Sequence, residues 1–420
     1  MAPTSISTTR IERPIPPAHL SNTLLHRLHT EATQRHAESM HRKLTPVPSP
    51  GVTVECDGRS LVNLASNDYL GLSRHPRLVD AARQALAEHG VGSGASPLAG
   101  GYSVAVHGLE RRVAALKHAD AAILLPTGFA ANLALLTTLA RPGDLVAADA
   151  LNHASLFDAA RMSGATLRTY PHASTVRTDG LSKLDRLLDR HAADPARAGA
   201  CRFIVTDAVF SMDGDAAPLP ALADLADKYH AHLIVDEAHA TGLLGANGTG
   251  LIEAAGVVDR VTAANTTASK ALGGLGGIVT ASHAVIDAIV NRARPLIYST
   301  APPPAQVAAI DAALDVVADE PWRRDRLGDI TQRVRDAAGL HPVPSETRTP
   351  IVPLIAGSPE AAVALSDRFA DAGFLAAAIR PPTVKPNTSR VRLSLRADLT
   401  DEQVDGLLKV IAATRRPATS

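Results

Sequence analysis

The stretch "HLIVDEAHATG" at residues 232–242 opens with a short apolar run and breaks off at two acids. A brief continuous apolar run bounded by polar residues marks a strand buried on both faces, as in a parallel sheet. The same pattern recurs in "AAILLP", "LVAAD", "RFIVTDAVF", "VTAANTT" and "GGIVTAS". Helical segments such as "GFAANLALLTTLA" and "LPALADLADKYH" lie between several of these runs. Buried strands alternating with helices from about residue 75 to 290 predict an α/β domain with a mostly parallel sheet. The last of these strands follows a tight Gly-rich connection, so it is expected to run antiparallel.

Outward from that centre the pattern changes. Upstream, "LLHRLHTEATQRHAESMHRKL" has helical spacing, and "VTVECDGRSLVNLAS" predicts two short strands around an Asp57–Gly58 turn. Downstream, a smaller α+β unit is expected from "PLIYSTAPPPAQ" onward, with helices at 304–319 and 359–373 and strands in "IVPLIAG" and "RVRLSL". The expected division is therefore 1–60 (tail, helix and short strands), 61–295 (large domain) and 296–420 (small domain). Residues 1 to about 20 are rich in Ser, Thr and Pro and are expected to form a loose tail.

Composition narrows the classes. Lys+Arg and Asp+Glu both number 42, which leaves no basic footprint for nucleic acid. No run of 18 apolar residues is present, so no membrane span is expected. The opening "MAPTSISTTRIERPIPP" lacks an apolar core, so no secretory leader is expected. Cys56 and Cys201 have no ligand spacing and form no disulfide framework, which points to a reducing cytoplasm.

The quartet Asp236-Glu237-Ala238-His239 is also the signature of a helicase nucleotide site. Such a site needs GxxxxGK[ST], and none of the seven lysines follows a glycine. "GVGSGA" at 90–95 follows a helical segment, where a dinucleotide fingerprint would follow a strand. A metal site from His230, His232, Asp236 and His239 fits poorly, because strand periodicity takes His239 off the shared face. No metal is expected.

Lys270 offers a different reading. It sits in "NTTASKALGGLGG", after a buried strand and before glycines, a position suited to a Schiff base. A carboxylate at the end of a buried strand, Asp236, is costly unless it meets a cation such as a pyridinium. His239 lies within reach of the same ring, and His153 in "LNHASLFDA" is placed to lie against its face. "PTGFAAN" at 126–132 sets Gly128 and Phe129 at a helix N-terminus, which favours a phosphate, and Thr267 adds a hydroxyl. Together these are the parts of a pyridoxal 5'-phosphate (PLP) site.

With these residues in hand, the chain resembles the α-oxoamine synthases, a family of PLP fold type I. The carrying segments are "NLASNDYLGLSRHP", "PTGFAAN", "NHASLFDA", "VTDAVFSMDGDAAPL", "VDEAHATG", "TTASKALGGLGG", "PLIYST", "AIRPPTV" and "SRVRLSL", and they span roughly 40 to 410. "SNDYLGL" and "IRPPTV" lean toward the branch of biotin synthesis, away from those making aminolevulinate, sphingoid bases or aminoketobutyrate. The resemblance implies a large domain with a mostly parallel seven-stranded sheet, and a smaller C-terminal α+β domain. It implies an acyltransferase that joins L-alanine to pimeloyl-CoA, or its carrier-protein equivalent, with loss of CO2 and free thiol. Lys270 would carry PLP and then act as base. Asp236 would meet the ring nitrogen, His239 the ring oxygen and His153 the ring face. Gly128, Phe129, Ser211 and Thr267 would hold cofactor atoms, mainly phosphate. Asn67 and Arg392 would face the amino-acid carboxylate, and Arg42 and Thr383 the acyl substrate. The family is homodimeric with its site at the interface, where "IYST" comes from the partner.

The chain departs from the family pattern at Pro97, Ala208, Ala240 and the pair Val106-His107, where a histidine usually stands in the Val106 position. These positions put the substrate contacts of the 90–110 segment in question. Three other readings stand beside the first: a sister synthase using glycine or serine with another acyl-CoA, a PLP aminotransferase, and a silent partner-binding subunit. The last would be expected to have lost Lys270.

Overall fold

The computed structural model describes residues 23–47, 51–340 and 347–415. The expected N-terminal tail lies outside these residues. Helix α1 (Leu24–Ala37) stops short of the periodic pattern, because the chain turns at Ser39 with φ of 53°. Strands β1 (Thr53–Cys56) and β2 (Arg59–Asn63) pair antiparallel around Asp57 and Gly58. Both turn residues have positive φ, 48° and 75°, the geometry of a two-residue hairpin that Asp-Gly accommodates.

Helices α2 (Pro76–His89) and α3 (Val104–Leu116) lead into the central sheet. Its seven strands are β3 (Ala121–Leu125), β4 (Leu145–Asp149), β5 (Thr166–Tyr170), β6 (Arg202–Asp207), β7 (His232–Asp236), β8 (Ala263–Thr267) and β9 (Gly277–Ala281). Their order is β3-β9-β8-β7-β6-β4-β5, and β9 alone runs against the rest, as its glycine-rich approach predicts. Along β6 and β7, Phe203, Val205 and Ile234 enter the core on one face of the sheet, and Ile204, Leu233 and Val235 enter it on the other. Burial on both sides is why these strands read as unbroken apolar runs. Helices α4 (Gly128–Leu139), α5 (Ala154–Met162), α6 (Asp179–Ala192) and α7 (Leu219–Tyr229) are among those that link the strands.

The C-terminal chain builds a second sheet from β10 (Ile351–Gly357), β12 (Ala377–Ile379) and β13 (Ser389–Ser394), in the order β10-β13-β12. A two-residue strand, β11 (Phe374–Leu375), instead adds to β2 in parallel, tying the N-terminal hairpin to the C-terminal chain. Several elements exceed the sequence reading, among them the C-terminal helix Asp401–Arg415, β11 and β12, and two more show why. One is β5, an edge strand whose partly exposed "TLRTY" lacks an apolar run. The other is the helix Trp322–Ala338, whose buried Leu327, Ile330 and Val334 form a narrow stripe among charges. No helix among the described residues is long and apolar enough to cross a membrane.

Candidate active site

The last residues of the parallel strands and the first turn of α4 enclose a cavity of about 290 Å³. In open α/β sheets this edge gathers side chains from segments far apart in sequence. Asp236, Lys270, His239, His153, Gly128, Phe129 and Thr267 all line it.

Asp236 ends β7 and is buried. Its Oδ2 accepts hydrogen bonds from Asn132 Nδ2 at 2.6 Å and Asn265 Nδ2 at 3.3 Å, and its Oδ1 accepts one from the Ala238 N–H at 2.9 Å. The carboxylate is thus fixed in orientation with one edge toward the cavity. Glu237 points elsewhere. Its Oε2 accepts a 2.7 Å bond from Lys117 Nζ, and its Oε1 accepts one from the Ile252 N–H. The two acids of the quartet therefore serve opposite sides of the strand, as period-two alternation requires.

His239 is buried, and its Nδ1 lies 2.8 Å from the Tyr69 hydroxyl. Burial, with the charges of Lys270 and Arg392, holds its ring well below the ordinary histidine value. The ring is neutral and carries one proton. The Tyr69 hydroxyl, which also reaches Asn67 Oδ1 at 3.1 Å, occupies Nδ1 and leaves Nε2 facing away from Tyr69. Tyr69 in turn accepts from Arg392 Nη2 at 3.1 Å, and Arg392 Nη1 donates to Asn67 Oδ1 at 3.0 Å. Asn67 and Arg392 do not line the cavity, yet this polar chain leads into it. Arg392 bonds here only to neutral oxygens, and its buried Nε has no hydrogen-bond partner among the described residues.

Lys270 follows β8 and is half-buried. Burial lowers its amine to about 8, against the pull of Asp236 and Asp207. Asp207 was not anticipated. It ends β6 directly opposite Asp236 in the sheet register and lines the same cavity. Burial, then the neighbouring Asp236 charge, pushes its carboxyl well above the ordinary range. The signal was available, since Asp207 closes the apolar run "FIVTD" as Asp236 closes "LIVD".

His153 caps α5, and its Nδ1 meets Ser155 Oγ at 2.6 Å. Asn132 reaches that same Oγ at 2.8 Å, so one amide links the Asp236 carboxylate to the His153 anchor. Partial desolvation at the wall lowers the His153 ring below its ordinary value. At the start of α4, Thr127 accepts from the Ala130 N–H, and the first-turn N–H groups open toward the cavity mouth. The wall behind this turn is backbone. A Cβ on Gly277 would lie 2.3 Å from Thr127 O and 2.7 Å from Gly128 Cα.

The remaining expected residues lie elsewhere. Ser211 sits half-buried in the turn of the 208–217 hairpin and does not line the cavity. Arg42 and Thr383 are exposed and close to each other, because Arg42 Nη2 donates to Pro381 O at 2.9 Å in the turn that ends at Thr383. At the unusual Val106-His107 pair, Val106 enters the core and His107 meets the Tyr102 hydroxyl at 3.0 Å. Tyr102 also donates to Glu110, whose other oxygen accepts from the Leu124 N–H on β3.

The family model for aminotransferase class I and II matches residues 59–411. The 8-amino-7-oxononanoate synthase of Anaeromyxobacter dehalogenans is 44% identical over 383 residues, covering 90% of this chain and 92% of that protein. The synthase of the same name from Methylococcus capsulatus is 43% identical, covering 90% of this chain and 95% of that protein. Among solved structures, serine palmitoyltransferase of Sphingomonas wittichii superposes with a TM-score of 0.83 at 27% identity, over 94% of this chain and 98% of that one. The 8-amino-7-oxononanoate synthase of Francisella tularensis superposes with a TM-score of 0.70 at 28% identity, over 84% and 97%. The fold is that of PLP fold type I, and the chain belongs to the aminotransferase class I and II family and, within it, to the family of 8-amino-7-oxononanoate synthases.

Proposed function

We propose that this chain is a PLP-dependent acyltransferase of biotin synthesis. It joins L-alanine to a pimeloyl thioester, on CoA or a carrier protein, and releases CO2 and the free thiol. The observation that carries this reading is the convergence of Lys270, Asp236 and His239 on one cavity, in a chain so similar to proteins of that name.

The cavity fits the cofactor residue by residue. Asp236, pinned by two amides, is placed to pair with a ring nitrogen. His239, with Nδ1 engaged by Tyr69, presents Nε2 to a ring oxygen. The first turn of α4 and Thr267 offer donors to a phosphate, and the bare backbone of Gly277 closes directly behind that turn. His153 forms the wall beside the ring. Bound PLP supplies the electron sink for removing the Cα proton and losing CO2.

The other work falls to this chain. Lys270, lowered to about 8, holds a share of neutral amine near neutral pH and so takes the Cα proton of alanine. Arg392, hydrogen-bonded only to neutral groups, keeps its charge for the alanine carboxylate, with Asn67 beside it. Asp207, pushed toward its neutral form, avoids a second buried negative charge beside Asp236. Ser211 is assigned to the cofactor, and Arg42 and Thr383 to the acyl substrate, by family pattern. A homodimer in the cytoplasm is part of the proposal, with the mouth of the site completed by a second copy. The exposed Val91 (83%), Val104 (89%) and Tyr298 (71%) supply apolar surface for it. The domain division at about residues 61 and 296 is proposed with it.

One measurement tests the reading: an absorbance scan of the purified protein from about 300 to 550 nm, before and after L-alanine. A band near ~420 nm that changes with alanine, and further with pimeloyl-CoA, is expected. A band that ignores alanine and answers to glycine or serine would move the chain to a sister synthase, a reading that the overlap with serine palmitoyltransferase keeps open. No band after added PLP would refute the assignment.

A further inference from the structure

Outside the cavity, one half-buried histidine joins the segments behind it. His172 Nδ1 lies 3.0 Å from Asp149 Oδ1, and its Nε2 lies 3.0 Å from Asp215 Oδ2. Its side chain is 9% exposed, and its ring meets Phe210 edge-on at 4.3 Å. Each acid controls a different segment. Asp149 ends β4, and its carboxylate accepts the N–H groups of Leu151 at 2.8 Å and Ala173 at 2.9 Å. That fixes the turn whose next residues are Asn152 and His153. Asp215 closes the 208–217 hairpin, because Phe210 N–H donates to its carbonyl at 2.9 Å. The hairpin brings Val209 to the cavity wall and carries Ser211. From its far side, Arg390 on β13 donates to Asp213 at 2.7 Å, two residues from Arg392. His172 thus stands where the His153 turn and the hairpin meet.

We infer that His172 is a positioning residue for the cofactor site, a charged clamp that holds the His153 turn against the Ser211 hairpin. The inference rests on the PLP reading of the cavity. A cationic ring suits the geometry, because both nitrogens face carboxylate oxygens and only the doubly protonated ring donates to both. Burial alone would lower the ring, but the hydrogen bonds and charges of Asp149 and Asp215 outweigh it and raise it to about 9. Asp215 is correspondingly held below the ordinary carboxylate range, by His172 against its own burial. The other groups that bear on the cluster are Asp207 and Tyr170 on the Asp149 side and Arg335 on the Asp215 side. Because the folded ring is raised above its unfolded value of 6.5, the clamp is at full strength below that pH and is lost as pH rises through about 9.

The test compares wild type with His172→Gln and Asp215→Asn, by PLP titration of the apo proteins and by hydrogen exchange of segments 149–153 and 208–216. At pH 7 both variants should bind PLP about tenfold more weakly and exchange faster in both segments. The affinity ratio between wild type and His172→Gln should shrink toward one as pH passes 9, where the wild-type clamp also loses its charge. Either variant suffices if the other fails to fold. Equal PLP affinity at pH 7 overturns the inference, even with faster exchange, since His172 would then serve the fold alone. A ratio unchanged across pH 9 overturns the charged clamp. A wild type that takes up no PLP overturns the reading of the cavity and this inference with it.

Discussion

Tyr69→Phe removes a single oxygen from the polar chain that leads into the cavity. The hydroxyl lies within 3.1 Å of three partners: His239 Nδ1, Arg392 Nη2 and Asn67 Oδ1. Tyr69 is fully buried, and His239 and Arg392 are 7% exposed each, so no solvent replaces the lost oxygen. A buried polar group left without its partner costs about 1–3 kcal/mol, and 1.4 kcal/mol is tenfold. If the cost is felt where the reaction needs His239 and Arg392 in place, kcat/KM for alanine should fall about 10- to 100-fold. The loss should divide in a telling way. KM for alanine should rise through the loosened Arg392, and the cofactor absorbance should shift, because the His239 ring loses the partner that holds its Nδ1. The assay is steady-state turnover over a range of alanine concentrations, with a spectrum of each protein. A variant within about threefold of wild type in kcat/KM, with an unchanged spectrum, would show that the chain is ordinary packing and that Tyr69 has no part in orienting His239.

Three further outcomes are expected. Lys270→Ala should abolish both turnover and the absorbance near ~420 nm, and an active variant would sink the role given to the lysine. In apo protein, the rate of PLP capture should rise about tenfold per pH unit and level off above about 8, because only the neutral amine attacks. A midpoint near the ordinary lysine value of 10.5 would contradict that, and the same depression means that stability gains from Lys270 as pH rises between about 8 and 10.5. Lys117→Met strands Glu237, 1% exposed, and should cost about 3–5 kcal/mol in denaturant unfolding, with part recovered in Lys117→Met/Glu237→Gln. A loss under about 1 kcal/mol would mean that the pair contributes little.

Much of the architecture is legible in the sequence, because strands buried on both faces leave no polar alternation to confuse them. The strands ending at Asp149, Asp207 and Asp236 are of this kind. Thr166–Tyr170 was hidden by its place at the edge, where Arg168 and Thr169 face solvent. The helix Trp322–Ala338 was hidden by its many arginines and aspartates, which drown a narrow buried stripe. In the site, residues with a distinctive chemistry stood out: a scarce lysine, an Asp-x-x-His, a glycine at a helix start. The supporting residues did not. Asn132, Asn265 and Tyr69 stand in no motif that announces such a role, and only the fold brings their polar atoms to Asp236 and His239. His172 is a further case, since Asp149 and Asp215 lie far from each other in sequence on either side of it.

The backbone wall behind the first turn of α4 has a consequence for how this enzyme can vary. Where two main chains touch, a larger residue has no rotamer to escape into, so Gly277 admits one letter although its own conformation is ordinary. Phe129, which lines the cavity in front of that wall and is 44% exposed, is under no such restriction. A saturation library across the site should therefore show a steep contrast between neighbours. Positions that hold the site through main-chain packing behind it would be the least forgiving, and several that present a side chain to the cavity would tolerate exchange. Intolerance at Gly277 would reflect the thickness of a peptide plane.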